Sequence, residues 1–256
     1  MESAPRVVVI TGAASGIGRA AALQLAAAGY AVAALDRDAE RLEAVVVELA
    51  AAGAAEALAL PVDVADADGV AAALERAVDA LGRFDGLVST AGVLEPGGLG
   101  DTTRAGWQRQ LDVNATGVFT LLQEGAPRLR DGGSIVVVSS NAARVPRTGM
   151  LAYTASKAAA SALARCAGLE LAARGVRCNV VEPGSTDTPM QRTLWPDPEL
   201  GARQAIGGDP ESYRVGIPLG RIGSPDDVAG LVSFLLSDAA RHITLQRITV
   251  DGGASL

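Results

Sequence analysis

The sequence predicts an α/β protein: one doubly wound parallel sheet of about seven strands with helices on both faces. Two observations lead to this fold class. Short valine-rich runs alternate with longer alanine-rich stretches of helical character along the 256 residues. The apolar runs are continuous, which is typical of parallel strands buried on both faces. Because neither a repeat nor a linker interrupts the alternation, we expect a single domain over residues 1–256.

The first elements predict a nucleotide-binding unit. A strand is expected at Val7–Ile10, and the glycine-rich turn Thr11–Gly18 follows it. A helix over Arg19–Ala28 leads to a second strand at Ala31–Leu35, which Asp36 ends. Strand, glycine turn, helix, strand and acid, in this order, indicate a dinucleotide-binding unit of the Rossmann type.

The glycine turn contains the expected phosphate contacts. Gly12, Gly16 and Gly18 allow a tight turn and let a phosphate approach the backbone. The helix that follows presents free N–H groups and the positive end of its dipole to that phosphate. Ser15 and Ile17 lie in the same turn, so we predict that all five residues contact the cofactor.

Acidic residues end the second and third strands. Asp36 can accept both hydroxyls of the adenosine ribose, and its charge would repel a 2′-phosphate, which favours NAD over NADP. Arg37 is either a partner for that phosphate or, as we favour, a solvated side chain. Asp63 is either a contact of the adenine amino group or a helix N-cap, and Val64 lies beside it.

The same patterns predict the other elements. The region 102–130 is helical but interrupted near Asn114 and Gly117. Asparagine is disfavoured within helices, so Asn114 marks either a bend with exposed backbone groups or a core amide bonded to a neighbouring backbone. Further helices are expected at 38–52, 66–81, 150–173 and 224–236, and further strands at 57–62, 86–89, 134–139, 176–181 and 248–250.

A candidate proton-transfer group lies in the helix predicted at 150–173. Tyr153 and Lys157 are four residues apart, which puts both side chains on one helix face, about 5–6 Å between Cβ atoms. An ammonium favours the phenolate, so the phenol can act as a base near neutral pH. Ser140 ends a predicted strand upstream. A lone Tyr-x-x-x-Lys pair is more commonly a solvated surface pair, and only the rest of the chain reverses those odds.

Residues 189–223 form the least regular part of the sequence. Two stretches that contain proline and glycine break any long helix there: Trp195–Pro198 and Gly207–Pro210. Long irregular segments of this kind in a compact domain are often lids. We therefore predict a substrate lid at about 189–223.

Composition excludes several classes of partner. A net charge of −7 without a basic cluster argues against nucleic acid or an anionic membrane. The longest uncharged run, Ala20–Leu35, is too short to span a bilayer, and Met1–Arg6 lacks a signal sequence. With one histidine, His242, and no metal-like spacing of Cys166 and Cys178, we expect no metal site, reduced thiols and a cytoplasmic location.

Several of these motifs, in this order, resemble the short-chain dehydrogenase/reductase family over essentially the whole chain. They are Thr11–Gly18, Asp63, Asn114, Ser140, Tyr153, Lys157 and Pro183-Gly184. The resemblance implies that Tyr153 takes a proton from the substrate hydroxyl and that Ser140 bonds the same oxygen. It implies that Lys157 lowers the tyrosine pKa and binds the nicotinamide ribose, and that Asn114 holds a water linking Lys157 to solvent. It adds the cofactor contacts Ala91, Gly92, Pro183, Gly184, Thr186 and Thr188.

One motif departs from the family pattern. The stretch Ser89-Thr90-Ala91-Gly92 has no asparagine before Ala-Gly, where the family usually carries one. Ser89 or Thr90 can supply a similar polar contact.

A narrower resemblance concerns the substrate. Five stretches are similar to family members that oxidise a carboxylated cyclohexadiene diol to a catechol in siderophore biosynthesis: Val145–Met150, Gly175–Val181, Pro183–Thr188, Met190–Trp195 and His242–Gln246. The resemblance implies substrate contacts from Met150, Met190 and Gln191. A bidentate arginine suits the carboxylate, and we favour Arg147, then Arg144, with Arg192 in the lid. Each arginine is equally compatible with a surface or inter-subunit salt bridge.

Alternatives remain at this stage. The same scaffold suits the 2-amino analogue, a ketoacyl reductase, a sugar-alcohol reductase, or a non-catalytic protein that senses dinucleotides. The lid sequence disfavours the two reductases, and the presence of Ser140, Tyr153 and Lys157 disfavours the sensor. The resemblance also implies a homotetramer packed through the helices at 102–130 and 150–173.

Overall fold

Seven strands form the core of the computed structural model, which describes residues 4–195 and 197–256. They are β1 (Val7–Thr11), β2 (Ala31–Asp36), β3 (Glu56–Pro61), β4 (Phe84–Ser89), β5 (Leu129–Val138), β6 (Arg177–Pro183) and β7 (Arg247–Val250). All pair in parallel in the order β3-β2-β1-β4-β5-β6-β7. The predicted fold class is confirmed.

Helices cover both faces of this sheet. They are α1 (Gly16–Ala27), α2 (Ala39–Ala52), α3 (Ala67–Leu81), α4 (Arg104–Leu111), α5 (Gly117–Gly125), α6 (Leu151–Leu171), α7 (Pro189–Arg192), α8 (Pro198–Gly207) and α9 (Pro225–Leu236). Alternate residues of each strand point to opposite faces. Val8 and Ile10 therefore pack with α1, α2 and α9, whereas Val7 and Val9 pack with α3, α5 and α6.

The interruption predicted within the helical region 102–130 is confirmed, but the predicted end of that region is wrong. A short π-helical stretch, Asp112–Thr116, separates α4 from α5, so the expected interruption near Asn114 is present. Helix α5 ends at Gly125, and Arg130 belongs to β5. Pro127 explains the stop, because proline has no N–H to continue the helical hydrogen bonds.

The sheet order creates a cleft at one edge. Helix α1 connects β1 to β2 on one side, whereas β4 pairs with β1 on the other. Ligands of doubly wound sheets bind where the strand order reverses in this way, outside the carboxyl ends of the strands. The Thr90 N–H donates to the Thr11 carbonyl (3.3 Å), which joins the loops after β1 and β4 at this point.

The 189–223 segment is less irregular than predicted, since it contains α7 and α8. Its two ends are tied together by backbone bonds from Asp187 to Gly223 (2.8 Å) and from Gly223 to Ser185 (3.0 Å). Trp195 lies directly against the backbone of Gly201 on α8. Pro196, one of the predicted helix breakers, lies outside the described residues. The same holds for the first three residues of Met1–Arg6, the stretch predicted to lack a signal sequence.

Within residues 4–195 and 197–256, no helix combines the length and apolarity needed to cross a bilayer.

Candidate active site

The glycine turn brings the backbone of α1 close to the loop after β4. Gly12 has φ of +70°, and a Cβ there would lie 2.7 Å from the Ala91 nitrogen. A Cβ at Gly18 would overlap the Gly12 carbonyl oxygen. Neither position has room for a side chain, so only glycine allows the turn to pack this closely against α1 and the loop after β4, as the turn of a dinucleotide site does.

Helix α1 presents a bare N-terminus to this space. The Ser15 side chain makes no cap hydrogen bond within the described chain, and the first turn of α1 carries no acidic residue. Its leading N–H groups therefore face a cavity of about 240 Å³. We call this space the nucleotide cavity. Apart from the catalytic residues, every predicted cofactor contact lines it except Pro183, Gly184 and Thr186. The lining includes Gly16, Ile17, Gly92 and Thr188.

Backbone donors hold the Asp36 carboxylate at the far end of the nucleotide cavity. One oxygen accepts from the Ala14 N–H and the other from the Asp38 N–H, both at 3.0 Å. Each oxygen keeps a lone pair for a ribose hydroxyl. The exposed Arg37 lines the same cavity.

Asp63 and Val64 line the nucleotide cavity beyond β3. The helix-cap alternative for Asp63 is wrong: Asp66 caps α3 by accepting from the Gly69 N–H at 3.1 Å. Asp63 instead accepts from the Ala65 N–H in its own turn.

A second cavity of about 430 Å³ adjoins the first. We call it the substrate cavity; it is bounded by the end of β5, the start of α6 and the 189–223 segment. The two cavities share Ile17, Thr90, Gly92, Thr188 and Met190. The remaining cofactor contacts, Pro183, Gly184 and Thr186, line the substrate cavity. Gly184 donates to the Val250 carbonyl at 3.0 Å, which fixes this loop on the sheet.

Ser140, Tyr153 and Lys157 lie together in the wall of the substrate cavity. Ser140 caps a short 3₁₀ turn by accepting from the Ala142 N–H, 3.2 Å away. The Lys157 Nζ donates to the Val138 carbonyl (3.1 Å) and lies 5.9 Å from the centre of the Tyr153 ring. The helix therefore places the phenol and the ammonium on the same wall.

Burial controls the proton affinities here. It raises the pKa of Tyr153, and interaction with the Ser140 hydroxyl offsets this only in part. Burial lowers the pKa of Lys157 to about 8. The sequence predicts a phenol made acidic by the lysine; for the protein alone this is wrong, because loss of water around Tyr153 is the largest effect.

Two alternatives were predicted for Asn114, and the structure shows the buried amide and not the exposed bend. Its oxygen accepts from the Val93 N–H, and its nitrogen donates to the Val93 carbonyl, both at 2.8 Å. It also donates to the Ser156 hydroxyl at 3.0 Å. Gly92 lies between Asn114 and Lys157, because a Cβ there would be 3.2 Å from both polar groups. A water held by Asn114 stays a prediction.

Only one of the three predicted substrate arginines lines the substrate cavity. Arg147 does so and is half-buried. Arg144 lies outside the lining, 3.9 Å from buried Glu182. Arg192 also lies outside, and one edge of its guanidinium donates from Nε and Nη2 to the two carboxylate oxygens of Asp187 at 2.7 and 2.9 Å. Met150, Met190 and Gln191 line the cavity as predicted contacts should.

Several lining residues escaped the sequence analysis. Arg214, Trp195 and Gln204 reach the substrate cavity from the 189–223 segment, and Asn141 from the turn after Ser140. Asn141 donates to Asp251 at 3.2 Å, which ties this turn to the end of β7. Adjacency to Ser140 was the available signal for Asn141; the others lie in a region without periodic pattern.

The fold and its cleft define a class of protein: oxidoreductases that hold a dinucleotide beside a buried tyrosine and lysine. A family model described as enoyl-(acyl carrier protein) reductase matches residues 12–255. The chain belongs to the short-chain dehydrogenase/reductase family.

Individual relatives are similar over nearly their whole length. A 2,3-dihydro-2,3-dihydroxybenzoate dehydrogenase of Bacillus subtilis strain 168 is 47% identical, covering 98% of this chain and 96% of the relative. The enzyme of the same name from Escherichia coli K12 is 45% identical, covering 100% and 99%. A short-chain dehydrogenase from Mycobacterium paratuberculosis bound to NAD superposes with a TM-score of 0.87 at 34% identity, covering 98% and 97%.

We predict that Lys157→Met changes how stability depends on pH. The pKa of Lys157 is about 8 when folded and near 10.5 when free. Between these values the unfolded chain binds more protons, so the wild type gains stability relative to the variant as pH rises, by about 1 kcal/mol per pH unit. Below about pH 8 the difference between them is constant. Urea unfolding of both proteins at about pH 7, 8.5 and 9.5 measures this. Parallel stability profiles would show that the lysine is not desolvated.

Proposed function

We propose that this protein oxidises 2,3-dihydro-2,3-dihydroxybenzoate to 2,3-dihydroxybenzoate with NAD. One observation carries the proposal: the substrate cavity joins Ser140 and Tyr153 to Arg147 and opens onto the nucleotide cavity. A carboxylated cyclic alcohol needs a hydroxyl site and a cation within one such space. The names of the similar relatives from Bacillus subtilis and Escherichia coli support the same substrate, with a role in catechol siderophore or related secondary metabolism.

The side chains of this chain would handle the proton. As the phenolate, which the positive charges of Lys157 and of bound NAD would favour, Tyr153 receives it from the C3 hydroxyl while Ser140 donates a hydrogen bond to the same oxygen. NAD, when bound, supplies a positively charged ring that accepts the hydride. Lys157, fixed by the Val138 carbonyl, binds the nicotinamide ribose and adds positive charge beside the phenol. The ketone product tautomerises to the aromatic catechol, and this gain in stability drives the oxidation forward.

Burial favours proton transfer from the substrate hydroxyl over proton transfer from water. The Tyr153 phenol is 8% and Lys157 5% exposed, so water competes little for the hydroxyl of the substrate. We propose that Asn114, which lies near Lys157 across Gly92, holds a water that reconnects the lysine to solvent. The π-helical turn around Asn114 supports this, since such turns leave a backbone carbonyl without its usual helical partner.

We further propose that residues 189–223 act as a lid on one domain spanning 1–256. The segment is tied at both ends and contributes Met190 and Gln191 to the cavity wall. Movement about these tied ends would admit the substrate and then exclude water.

We also propose that the protein is a homotetramer and that it is located in the cytoplasm. The exposed apolar residues support the first proposal and the cysteines the second. Trp107, Phe119, Leu151 and Leu169 are exposed apolar residues on α4, α5 and α6. Packing of these helices against a second copy would cover them. The two cysteines are both unpaired, which suits a reducing compartment.

We predict that the wild type turns over the dihydrodiol acid with NAD and that Tyr153→Phe abolishes NADH formation. The variant keeps the ring and loses only the proton acceptor, so NAD binding stays intact. Absorbance of NADH and calorimetric NAD binding measure the two effects. Faster wild-type turnover of the 2-amino analogue, dihydro-3-hydroxyanthranilate, would overturn the substrate assignment. Unchanged turnover in Tyr153→Phe would remove the tyrosine from this role.

Asp36 is expected to set the preference for NAD. In Asp36→Asn the side chain keeps its shape but loses the charge that repels a 2′-phosphate. We expect kcat/KM with NADP to rise relative to NAD by about tenfold, which corresponds to about 1.4 kcal/mol. Arg37→Gln, which changes an exposed side chain of the same cavity, is the matched control and should leave the ratio unchanged. An unchanged ratio in Asp36→Asn would contradict the assignment of Asp36 to the ribose.

Arg147→Ala should weaken the carboxylated substrate selectively. We expect KM for the dihydrodiol acid to rise by roughly 10- to 100-fold, as for loss of a charged hydrogen-bond pair. KM for a carboxyl-free cyclohexadiene diol should change little. Steady-state kinetics on both substrates measure the difference, and equal losses on both would contradict a carboxylate contact.

A further inference from the structure

A second arginine, Arg214, lines the substrate cavity together with Arg147. Arg214 reaches this cavity from the 189–223 segment, whereas Arg147 comes from the loop between β5 and α6. Within residues 4–195 and 197–256, no carboxylate oxygen lies within 4.0 Å of either guanidinium. Two cations therefore line one cavity without a protein counter-ion.

The nearest carboxylates already have other partners. Asp251 accepts from the Asn141 amide and from the Gly253 N–H. Asp209 accepts from the Glu211 N–H and the Ser212 hydroxyl of its own turn. Both act on the arginines only from a distance. Burial, followed by the charge of Arg214, lowers the pKa of Arg147, while Asp251 opposes this more weakly.

Backbone hydrogen bonds fix the main chain at Arg214, whose side chain is exposed. Its N–H donates to the Asp209 carbonyl at 2.8 Å, and its carbonyl accepts from the Asp209 N–H at 2.9 Å. Ile217, three residues on, donates to the Ile206 carbonyl at the end of α8 (2.9 Å). The arginine is therefore anchored to the helical part of the 189–223 segment.

We infer that Arg147 and Arg214 form a two-arginine carboxylate subsite, in which the substrate carboxylate bridges the fixed wall of the substrate cavity and the 189–223 segment. The anion replaces the repulsion between two cations with two charge-assisted contacts. Because one cation belongs to the segment, a carboxylated ring ties that segment down and a neutral ring does not. This inference rests on the proposed oxidation of a carboxylated diol and adds Arg214 as a residue that determines specificity.

Calorimetric titration of the full-length protein with saturating NADH tests the subsite without turnover. The probes are 2,3-dihydroxybenzoate and catechol, which differ by the carboxylate alone. In Arg214→Gln we expect 2,3-dihydroxybenzoate to bind roughly 10- to 100-fold more weakly, and catechol to change by less than about twofold. Arg203→Gln, which changes an exposed α8 arginine outside the cavity, is the matched control and should bind both probes as the wild type does.

Two further measurements separate recognition from structure. The melting temperature of ligand-free Arg214→Gln should equal or exceed that of the wild type, because a like charge is removed; a structural arginine would lower it. Arg214→Lys keeps the positive charge but loses the planar, bidentate N–H donors of the guanidinium. Its affinity for 2,3-dihydroxybenzoate should lie between those of the wild type and Arg214→Gln. Equal weakening of both probes, or unchanged binding of 2,3-dihydroxybenzoate in Arg214→Gln, would overturn the subsite.

Failure of the subsite and failure of the proposed function give different results. If the wild type turns over the dihydrodiol acid but Arg214→Gln binds 2,3-dihydroxybenzoate normally, only the subsite is wrong. If the carboxylate preference depends on Arg214 and no turnover occurs, the subsite stands as an anion site and the oxidation is wrong.

Discussion

The burial of Lys157 beneath Tyr153 is the interaction on which the rest of the site depends. An ammonium removed from water is destabilised, and its pKa near 8 reflects that cost. The fold offsets part of it with the Val138 carbonyl at the end of β5. Nearby, the Ser139 hydroxyl donates to the Lys157 carbonyl (2.9 Å) and accepts from Ser161 (2.8 Å), which fixes this turn of α6 against the sheet. The lysine therefore stays in place although its own charge disfavours the position.

The glycine turn and the buried pair meet because of the sheet order. Strands β1 and β4 end side by side, so the loops that carry Gly12 and Gly92 lie against one another. Gly92 also lies beside Lys157, where any side chain would displace the ammonium or the Asn114 amide. One small residue thus connects the nucleotide cavity to the proton-transfer group. This explains why the two cavities share a wall at Gly92.

The sequence predicted the strands, most helix limits and the glycine turn because each rests on local pattern: continuous valine runs, alanine-rich stretches and caps such as Ser224 before Pro225. Predictions that depend on distant neighbours fared differently. Arg192 and Arg144 had suitable positions along the chain, but they pair with Asp187 and Glu182 and do not line the cavity. Arg214 is 67 residues beyond Arg147 and carries no local signal. The proton affinity of Tyr153 was misjudged because helical spacing reveals the neighbouring charge but not the loss of water.

Charge in this molecule acts at short range. A net charge of −7 repels both an anionic ring and a dinucleotide at long distance, and salt screens that repulsion beyond about 10 Å. Under the proposed function, attraction comes from groups that act only on contact: the bare N-terminus of α1 for the pyrophosphate, and the half-buried Arg147 for a carboxylate. Contacts of this kind favour specificity over rapid capture, since they count only after the ligand has entered. If residues 189–223 close over the substrate as proposed, the same reasoning applies, because the charge of the substrate is then recognised only inside the cavity.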